Sequence, residues 1–326
     1  MKKFSVIGAG AWGTALANML AKKNRKISIY AREAEVVASI NTSNENKIFL
    51  PDIKLEKNVT ATNNLADICN SDYILNVTPS QFFRSQLSEF LQIFQKNNPQ
   101  KKFPHFIICS KGIENNSLKL MSDIFEEITS SKNYSILSGP SFAEEVAIGD
   151  YSTLSLACFD ENLAKEIQKE IEIPTFKVRI NKDVIGTQLC GSLKNVIAIA
   201  CGVVKGLGCG ENTKASTITQ GAKEIAQLAL YLGGKRKTML EPCGIGDLVL
   251  TCNSEKSRNF SFGFGLGAGK TPNELTQNKP QVVEGVATAK SVFDLCKKMN
   301  IKLELCQMIY QVVNGNAEPK EILRLI

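Results

Sequence analysis

A glycine-patterned turn between an apolar strand and a helix constrains this chain more than any other feature. Residues 4–20 read FSVIGAGAWGTALANML: the β-type run Phe4–Ile7 leads into Gly8-Ala-Gly10-Ala-Trp-Gly13, and helix-forming residues follow from Thr14. Gly8 permits the tight turn off the strand. Gly10 has no Cβ to obstruct a pyrophosphate, and Gly13 lets the helix pack against the strand. The helix N-terminus adds free N–H groups and a partial positive charge. A glycine-rich turn of an unrelated α/β unit is the plainer reading, but this one sits between strand and helix, which predicts a dinucleotide site.

The first ~180 residues alternate strand-like runs with helical or polar segments, the pattern of βαβ units and a mostly parallel sheet. The strand candidates are Phe4–Ile7, Lys26–Ala31, Asp72–Val77, His105–Cys109, Tyr134–Leu137 and Thr153–Ala157. Polar and glycine residues gather after them, where open α/β sheets bind ligands: Arg32, Thr78-Pro79-Ser80-Gln81, Ser110-Lys111-Gly112 and Ser138-Gly139-Pro140-Ser141. Ser141-Phe-Ala-Glu144 has the spacing of a capping box and predicts a helix N-terminus there. From about Asp183 the alternation gives way to long apolar-periodic segments, 184–205, 215–233, 282–299 and 301–313. The expected fold is α/β, with a Rossmann-like N-terminal domain (1–182) of mostly parallel sheet followed by an all-α C-terminal domain (183–326). Gly263–Thr271, GFGLGAGKT, lacks the first glycine of a phosphate loop because Phe264 stands there, and no strand precedes it. It reads as a flexible loop.

Composition narrows the chemistry. With 43% apolar and 22% charged residues the 326-residue chain can bury a sizeable core. The longest apolar stretch, Val196–Val204, is about half a membrane span, so no membrane span is expected. A strand opens the sequence where a signal peptide would place a charged and then an apolar region. Ten cysteines without a CxxC pair point to reduced thiols in a cytoplasmic protein, and no cluster has metal-ligand spacing. The net charge of +7 comes without a Lys/Arg run interleaved with aromatics, which argues against nucleic acid; it favours anionic small molecules or is a solvated basic surface. With His105 the sole histidine, a His-centred hydrolase triad is nearly excluded.

Lys194 is the outstanding chemical candidate. In CGSLKNVIAIACGVV it and Asn195 interrupt a small and apolar run, and a buried ammonium needs a counter-charge, a ligand or a lowered pKa. Thr187, Gly191, Lys194, Ala198 and Cys201 share one helical face, which either packs closely on another helix or leaves room beside the ammonium. Snorkelling is the blander alternative. Asp247, ahead of an apolar run, is an N-cap, or else it pairs with a buried lysine or holds a substrate hydroxyl. Ser257-Arg258-Asn259 offers hydroxyl, guanidinium and amide donors in succession, the guanidinium being a planar fork for phosphate. Lys111 follows a strand as a cation at the crevice. Arg32 stands where NAD-specific sites place an acid, and it is placed to meet a 2′-phosphate; Glu33 and Glu35 keep NAD open beside NADP.

Together these motifs resemble the bacterial-type NAD(P)-dependent glycerol-3-phosphate dehydrogenases. The resemblance runs along nearly the whole chain: GAGAWGTALA, SKGIE, SGPSFAEE, LCGSLKNVIAIACGVVKGLGCGEN, GIGDLVLTC, SRN and VVEG. It implies that Lys194 is the catalytic proton acceptor. It implies substrate contacts at Lys111, Gly139, Ser141, Asp247, Ser257, Arg258 and Asn259. It implies cofactor contacts at Ala11, Trp12, Arg32, Lys111, Ala143, Arg258, Val282 and Glu284. The sequence departs from the family pattern at Ile113, at Gln220 where an arginine is common, at Glu241-Pro242, and in a lysine-rich insertion over residues 95–105. The expected reaction is reversible hydride transfer between NAD(P)H and dihydroxyacetone phosphate, a small phosphorylated three-carbon substrate, giving the sn-glycerol 3-phosphate used in glycerophospholipid synthesis. Rival readings are another two-domain dehydrogenase of hydroxy acids or acyl thioesters, and a non-catalytic NAD(P)H sensor. A homodimer is common in the resembling family; no motif fixes the oligomeric state.

Overall fold

A computed structural model describes residues 2–276 and 283–326. Two compact units result. The first comprises Met1–Ser110, Ser122–Leu137 and Ser141–Val184, and the second Lys111–Met121, Ser138–Pro140 and Ile185–Ile326.

The first unit is built on eight strands: β1 (Phe4–Ile7), β2 (Ile27–Tyr30), β3 (Val59–Thr62), β4 (Tyr73–Asn76), β5 (His105–Ile108), β6 (Tyr134–Ser138), β7 (Ser152–Ala157) and β8 (Phe176–Asn181). Their order in the sheet is β3-β2-β1-β4-β5-β6-β7-β8. β1 runs parallel to both β2 and β4, with Val6 opposite Ile29 on one side and Leu75 on the other. The chain therefore reverses its direction of travel across the sheet between β1 and β4, the position at which open α/β sheets form a ligand crevice. β1, β4 and β5 are buried at every residue, as central parallel strands covered on both faces must be. The helices of this part are α1 (Ala11–Ala21), α2 (Ala34–Ser43), α3 (Phe83–Asn97), α4 (Met121–Thr129), α5 (Ala143–Ile148) and α6 (Glu161–Ile171).

Two strands escape the sequence pattern, β3 and β8, and both lie at the sheet's edges. Their alternation of buried and exposed positions, with VTAT and FKVRIN as sequences, dilutes the apolar signal that marks the interior strands. The helix expected at Ser141 exists, but as a correction its N-cap is Phe142 and no side chain caps it. Ser141 lies one residue too early for the reciprocal bonds of a capping box. His105, the first residue of β5, is buried with Nδ1 2.9 Å from Asn133 Oδ1 and Nε2 3.1 Å from Ser135 Oγ. Burial lowers its pKa to about 4, so the ring is neutral and structural.

The second unit is helical: α7 (Val184–Gly206), α8 (Glu211–Tyr231), α9 (Asp247–Cys252), α10 (Arg258–Gly267), α11 (Pro272–Thr276), α12 (Glu284–Met299) and α13 (Glu304–Val313). α7 is the core. It is long and apolar enough to cross a membrane by length and composition alone, yet 94% of its most apolar 18 residues are buried inside the protein. α13 is held at its first turn by Glu224 of α8, whose buried carboxylate accepts the backbone N–H groups of Leu305 and Cys306 at 2.8 and 2.9 Å. Gln220, the departure from the family pattern, donates to the same carboxylate at 2.9 Å.

The segment Gly263–Thr271 corrects the sequence reading, because α10 runs through it to Gly267. The reason is close helix packing. A Cβ on Gly202 or Gly206 of α7 would meet the carbonyls of Phe260 and Phe264, and a Cβ on Gly263 or Gly267 of α10 would meet those of Ile199 and Val203. The four glycines serve backbone-to-backbone contact between two helices, at four-residue spacing on each.

Candidate active site

The first of two constellations lies at the start of the first unit. Gly8 takes a φ of +104°, open to glycine at no steric cost, and its N–H donates to the Tyr30 carbonyl at 3.1 Å. A Cβ on Gly13 would strike the Gly8 carbonyl, whereas the Cβ position of Gly10 is open space. Gly10 is the N-cap of α1, with no side-chain cap and no acid in the first turn. The N–H groups of that turn, including those of Ala11 and Trp12, therefore have neither a capping oxygen nor a counter-charge. The indole Nε1 of Trp12 is also buried, without a hydrogen-bond partner among the described residues. Space at Gly10, an uncapped N-terminus and an orphaned donor fit a dinucleotide's pyrophosphate.

The sequence reading missed Asn46. Fully buried, it donates from Nδ2 to the Ala9 carbonyl at 2.7 Å and to Thr14 Oγ1 at 2.8 Å, fixing the glycine turn from outside. Arg32 follows β2 with its side chain 83% exposed, 3.6 Å from Glu33. Ala143 opens α5, with Ser141 two residues before it.

The second constellation is internal to the helical unit. Lys194, 9% exposed on α7, donates from Nζ to Asp247 Oδ1 and, at 2.9 Å, to Thr251 Oγ1. Lys111 donates to the other carboxylate oxygen, Asp247 Oδ2, at 2.8 Å and to the Gly139 carbonyl at 3.3 Å. Asp247 is fully buried at the first position of α9, and the N-cap is Gly246. The acid is paired with a buried lysine and is not the N-cap. One carboxylate is shared by two ammonium groups.

The small face of α7 has its explanation here as well. A Cβ on Gly191 would collide with Ser138 Oγ and lie 3.5 Å from Lys111 Cγ, so the glycine makes room for the chain that delivers Lys111. Burial is the largest influence on Lys194. It lowers the pKa, Asp247 opposes it, Lys111 adds to it, and the balance stands at about 8. The ammonium thus sits close to the point of proton exchange at neutral pH.

Ser257 is the N-cap of α10, its Oγ accepting the Phe260 N–H at 3.3 Å, and Arg258 is the first helical residue, exposed. Asn259 turns inward. Its Nδ2 donates to Asn195 Oδ1 at 2.9 Å, and its Oδ1 accepts the Gly285 N–H at 2.9 Å. The amide therefore ties the residue after Lys194 to the first turns of α10 and α12. Glu284 is the first residue of α12, and Val282 lies outside the described residues. Asn195, which interrupts the apolar run together with Lys194, and Thr251, which was not singled out in the sequence, complete this cluster. Among the described residues no group of His, Cys, Asp and Glu has metal-binding geometry.

A glycine turn at the switch point of a parallel sheet, in a chain that also holds a buried lysine of lowered pKa, describes an oxidoreductase that uses a dinucleotide. Two family models cover the chain: the N-terminal part of NAD-dependent glycerol-3-phosphate dehydrogenase over residues 3–164, and its C-terminal part over residues 183–324. A glycerol-3-phosphate dehydrogenase [NAD(P)+] of Caulobacter vibrioides is 43% identical over 96% of this chain and 93% of its own length. That of Parvibaculum lavamentivorans is 40% identical over 97% and 93%. The crystal structure of glycerol-3-phosphate dehydrogenase from Coxiella burnetii superposes with a TM-score of 0.92 at 30% identity, covering 99% of this chain and 98% of that one. The chain belongs to the NAD-dependent glycerol-3-phosphate dehydrogenase family.

Proposed function

We propose that this protein reduces dihydroxyacetone phosphate to sn-glycerol 3-phosphate, reversibly, with NADH or NADPH. The observation that carries this reading is the Lys194–Asp247–Lys111 cluster, a buried proton donor poised near neutral pH beside a second cation. The dinucleotide supplies the hydride when bound. Gly8, Gly10, Ala11, Trp12 and Gly13 would hold its pyrophosphate at the N-terminus of α1. Arg32, exposed after β2, would meet the adenine ribose or its 2′-phosphate, and Ala143, Val282 and Glu284 complete the cofactor set.

Lys194 has three N–H groups as an ammonium, and two are engaged by Asp247 and Thr251. The third is left for the substrate oxygen. In reduction it delivers a proton as negative charge develops there; in oxidation the neutral amine removes the hydroxyl proton. Lys111, with Gly139 and Ser141, would position the three-carbon skeleton. Ser257, Arg258 and Asn259, at the start of the ten-residue α10, would receive the phosphate, which orients the reacting carbon from a distance. Residues 1–182 would thus form the cofactor domain and 183–326 the substrate domain, in a cytoplasmic enzyme whose product enters glycerophospholipid synthesis.

The test is NADH and NADPH oxidation with dihydroxyacetone phosphate and, separately, with unphosphorylated dihydroxyacetone. Wild-type protein should turn over the phosphate ester alone at low concentration. Lys194→Ala should lose turnover by about 10³-fold or more while still binding dinucleotide. Turnover of the unphosphorylated ketone at an equal rate would sink the substrate assignment, and an active Lys194→Ala protein would sink the role of the lysine.

A further inference from the structure

One face of the helical unit carries positive charge that its own side chains leave unneutralised. After α8 ends at Tyr231, the chain turns at Gly233-Gly234 and folds back beside α8 as the 3₁₀ turn Arg236–Leu240. The run Lys235-Arg236-Lys237 is thereby brought next to α8, where Arg236 and Lys223 line one shallow groove with Ala226 and Gln227. Lys223, Arg236 and Lys237 are exposed and make no ion pair among the described residues. The acid beside Lys223 is no counter-charge, because Glu224 is 2% exposed and occupied by the first turn of α13. Large apolar side chains on the same two elements are exposed: Leu230, on the α8 face of Lys223 and Gln227, Tyr231 at the end of α8 with 53% exposure, and Leu240 at the end of the 3₁₀ turn with 80%.

We propose that this turn is a peripheral docking surface for an anionic lipid bilayer. A dissolved phosphate ion would answer the charges but leave Leu240 and Tyr231 hydrated. A bilayer surface answers both. Its phosphates lie opposite Lys223, Arg236 and Lys237, while Leu240 and Tyr231 reach the boundary between headgroups and acyl chains, where aromatic and apolar side chains beside cations are favoured. The net charge of +7 steers the whole chain in the same direction. The attachment is reversible, since a few cations and two or three apolar side chains fall far short of a membrane-spanning helix. None of the residues assigned above to cofactor or substrate is involved.

The experiment is co-sedimentation of the intact protein with vesicles of phosphatidylglycerol mixed with phosphatidylcholine, and with vesicles of phosphatidylcholine alone, at low and high salt. The expected result is binding to the anionic vesicles, about tenfold or more weaker on neutral ones and weakened by salt. The double variant Arg236→Glu/Lys237→Glu and the single variant Leu240→Ser should each lose about tenfold in vesicle affinity with solution turnover unchanged. Equal binding by wild type and both variants, or no binding to anionic vesicles at low salt, overturns the proposal. So does displacement by inorganic phosphate beyond that of chloride at equal ionic strength, which would mark a site for a free anion. Conversion of a dimer to a monomer by Leu240→Ser in sedimentation velocity would assign the patch to a second copy of the chain, and overturn it equally.

Discussion

Lys194 is set by three influences of opposite sign. Burial lowers its pKa most, Asp247 raises it, Lys111 lowers it, and the result is about 8. Oxidation of glycerol 3-phosphate needs the neutral amine, so kcat/KM in that direction should rise about tenfold per pH unit below 8 and level off above it. Reduction, which needs the ammonium, should be level below 8 and fall about tenfold per pH unit above it. Lys111→Gln removes a like charge and should move the midpoint upwards; a profile unchanged by that substitution would show that the titrating group is not Lys194. The residues of this cluster were unequally legible in the sequence. A lysine inside an apolar run and an acid ahead of one are conspicuous because an unpaired charge is expensive to bury. Asn195 breaks the same apolar run as Lys194 and is visible with it, whereas Thr251 is a small polar residue of a kind common in any helix; only the fold gives either its partner. Thr251 does stand four residues after Asp247, one helical turn on, and that spacing was available. Asn46 carries only a turn signal locally, its Oδ1 accepting the Phe49 N–H; its bonds to Ala9 and Thr14 reach back past α1, β2 and α2 and appear only in the fold.

Glycines at four-residue spacing explain both a success and a failure of sequence reading at the scale of helices. The long apolar period of α7 announced itself, but the second half of α10 lies in GFGLGAGKT, rich in glycine, which weakens an isolated helix. Tertiary contact reverses that preference, because Gly263 and Gly267 admit the backbone of α7. Gly263→Ala would press a methyl group into the Ile199 carbonyl, and it should destabilise the protein by about 1–3 kcal/mol. Gly210→Ala, where a Cβ meets nothing within 4 Å, should cost less. Urea unfolding of the two variants measures the difference, and equal losses would refute the backbone-contact account. In the sheet, runs such as FSVI and HFII were plain because burial on both faces demands apolar residues throughout. The edge strands β3 and β8 lack that demand. Their half-polar sequences resemble loops, and pairing to a neighbour is what makes them strands.

At the scale of the whole molecule, each unit has its own apolar core, one around the central strands and one around α7. The order of motifs along the chain therefore foretold the order of architecture. Two short loops, Lys111–Met121 and Ser138–Pro140, are exceptions, since each belongs with the helices although the chain enters it from a strand. They bring Lys111 and Gly139 to Asp247, a placement that no linear division of the sequence contains. Nine of the ten cysteines are buried and none forms a disulfide, so the cores are closed without covalent cross-links. The aromatic inventory has a different consequence. The chain contains a single tryptophan, and it stands in the first turn of α1 with its indole N–H unpaired. An anion settling at that terminus alters the field and the hydration around the only indole in the protein. The native chain is in that sense its own optical probe: its ultraviolet emission should change saturably with added NADH or NADPH, and the two titration curves, taken without label or substrate, would rank the two dinucleotides.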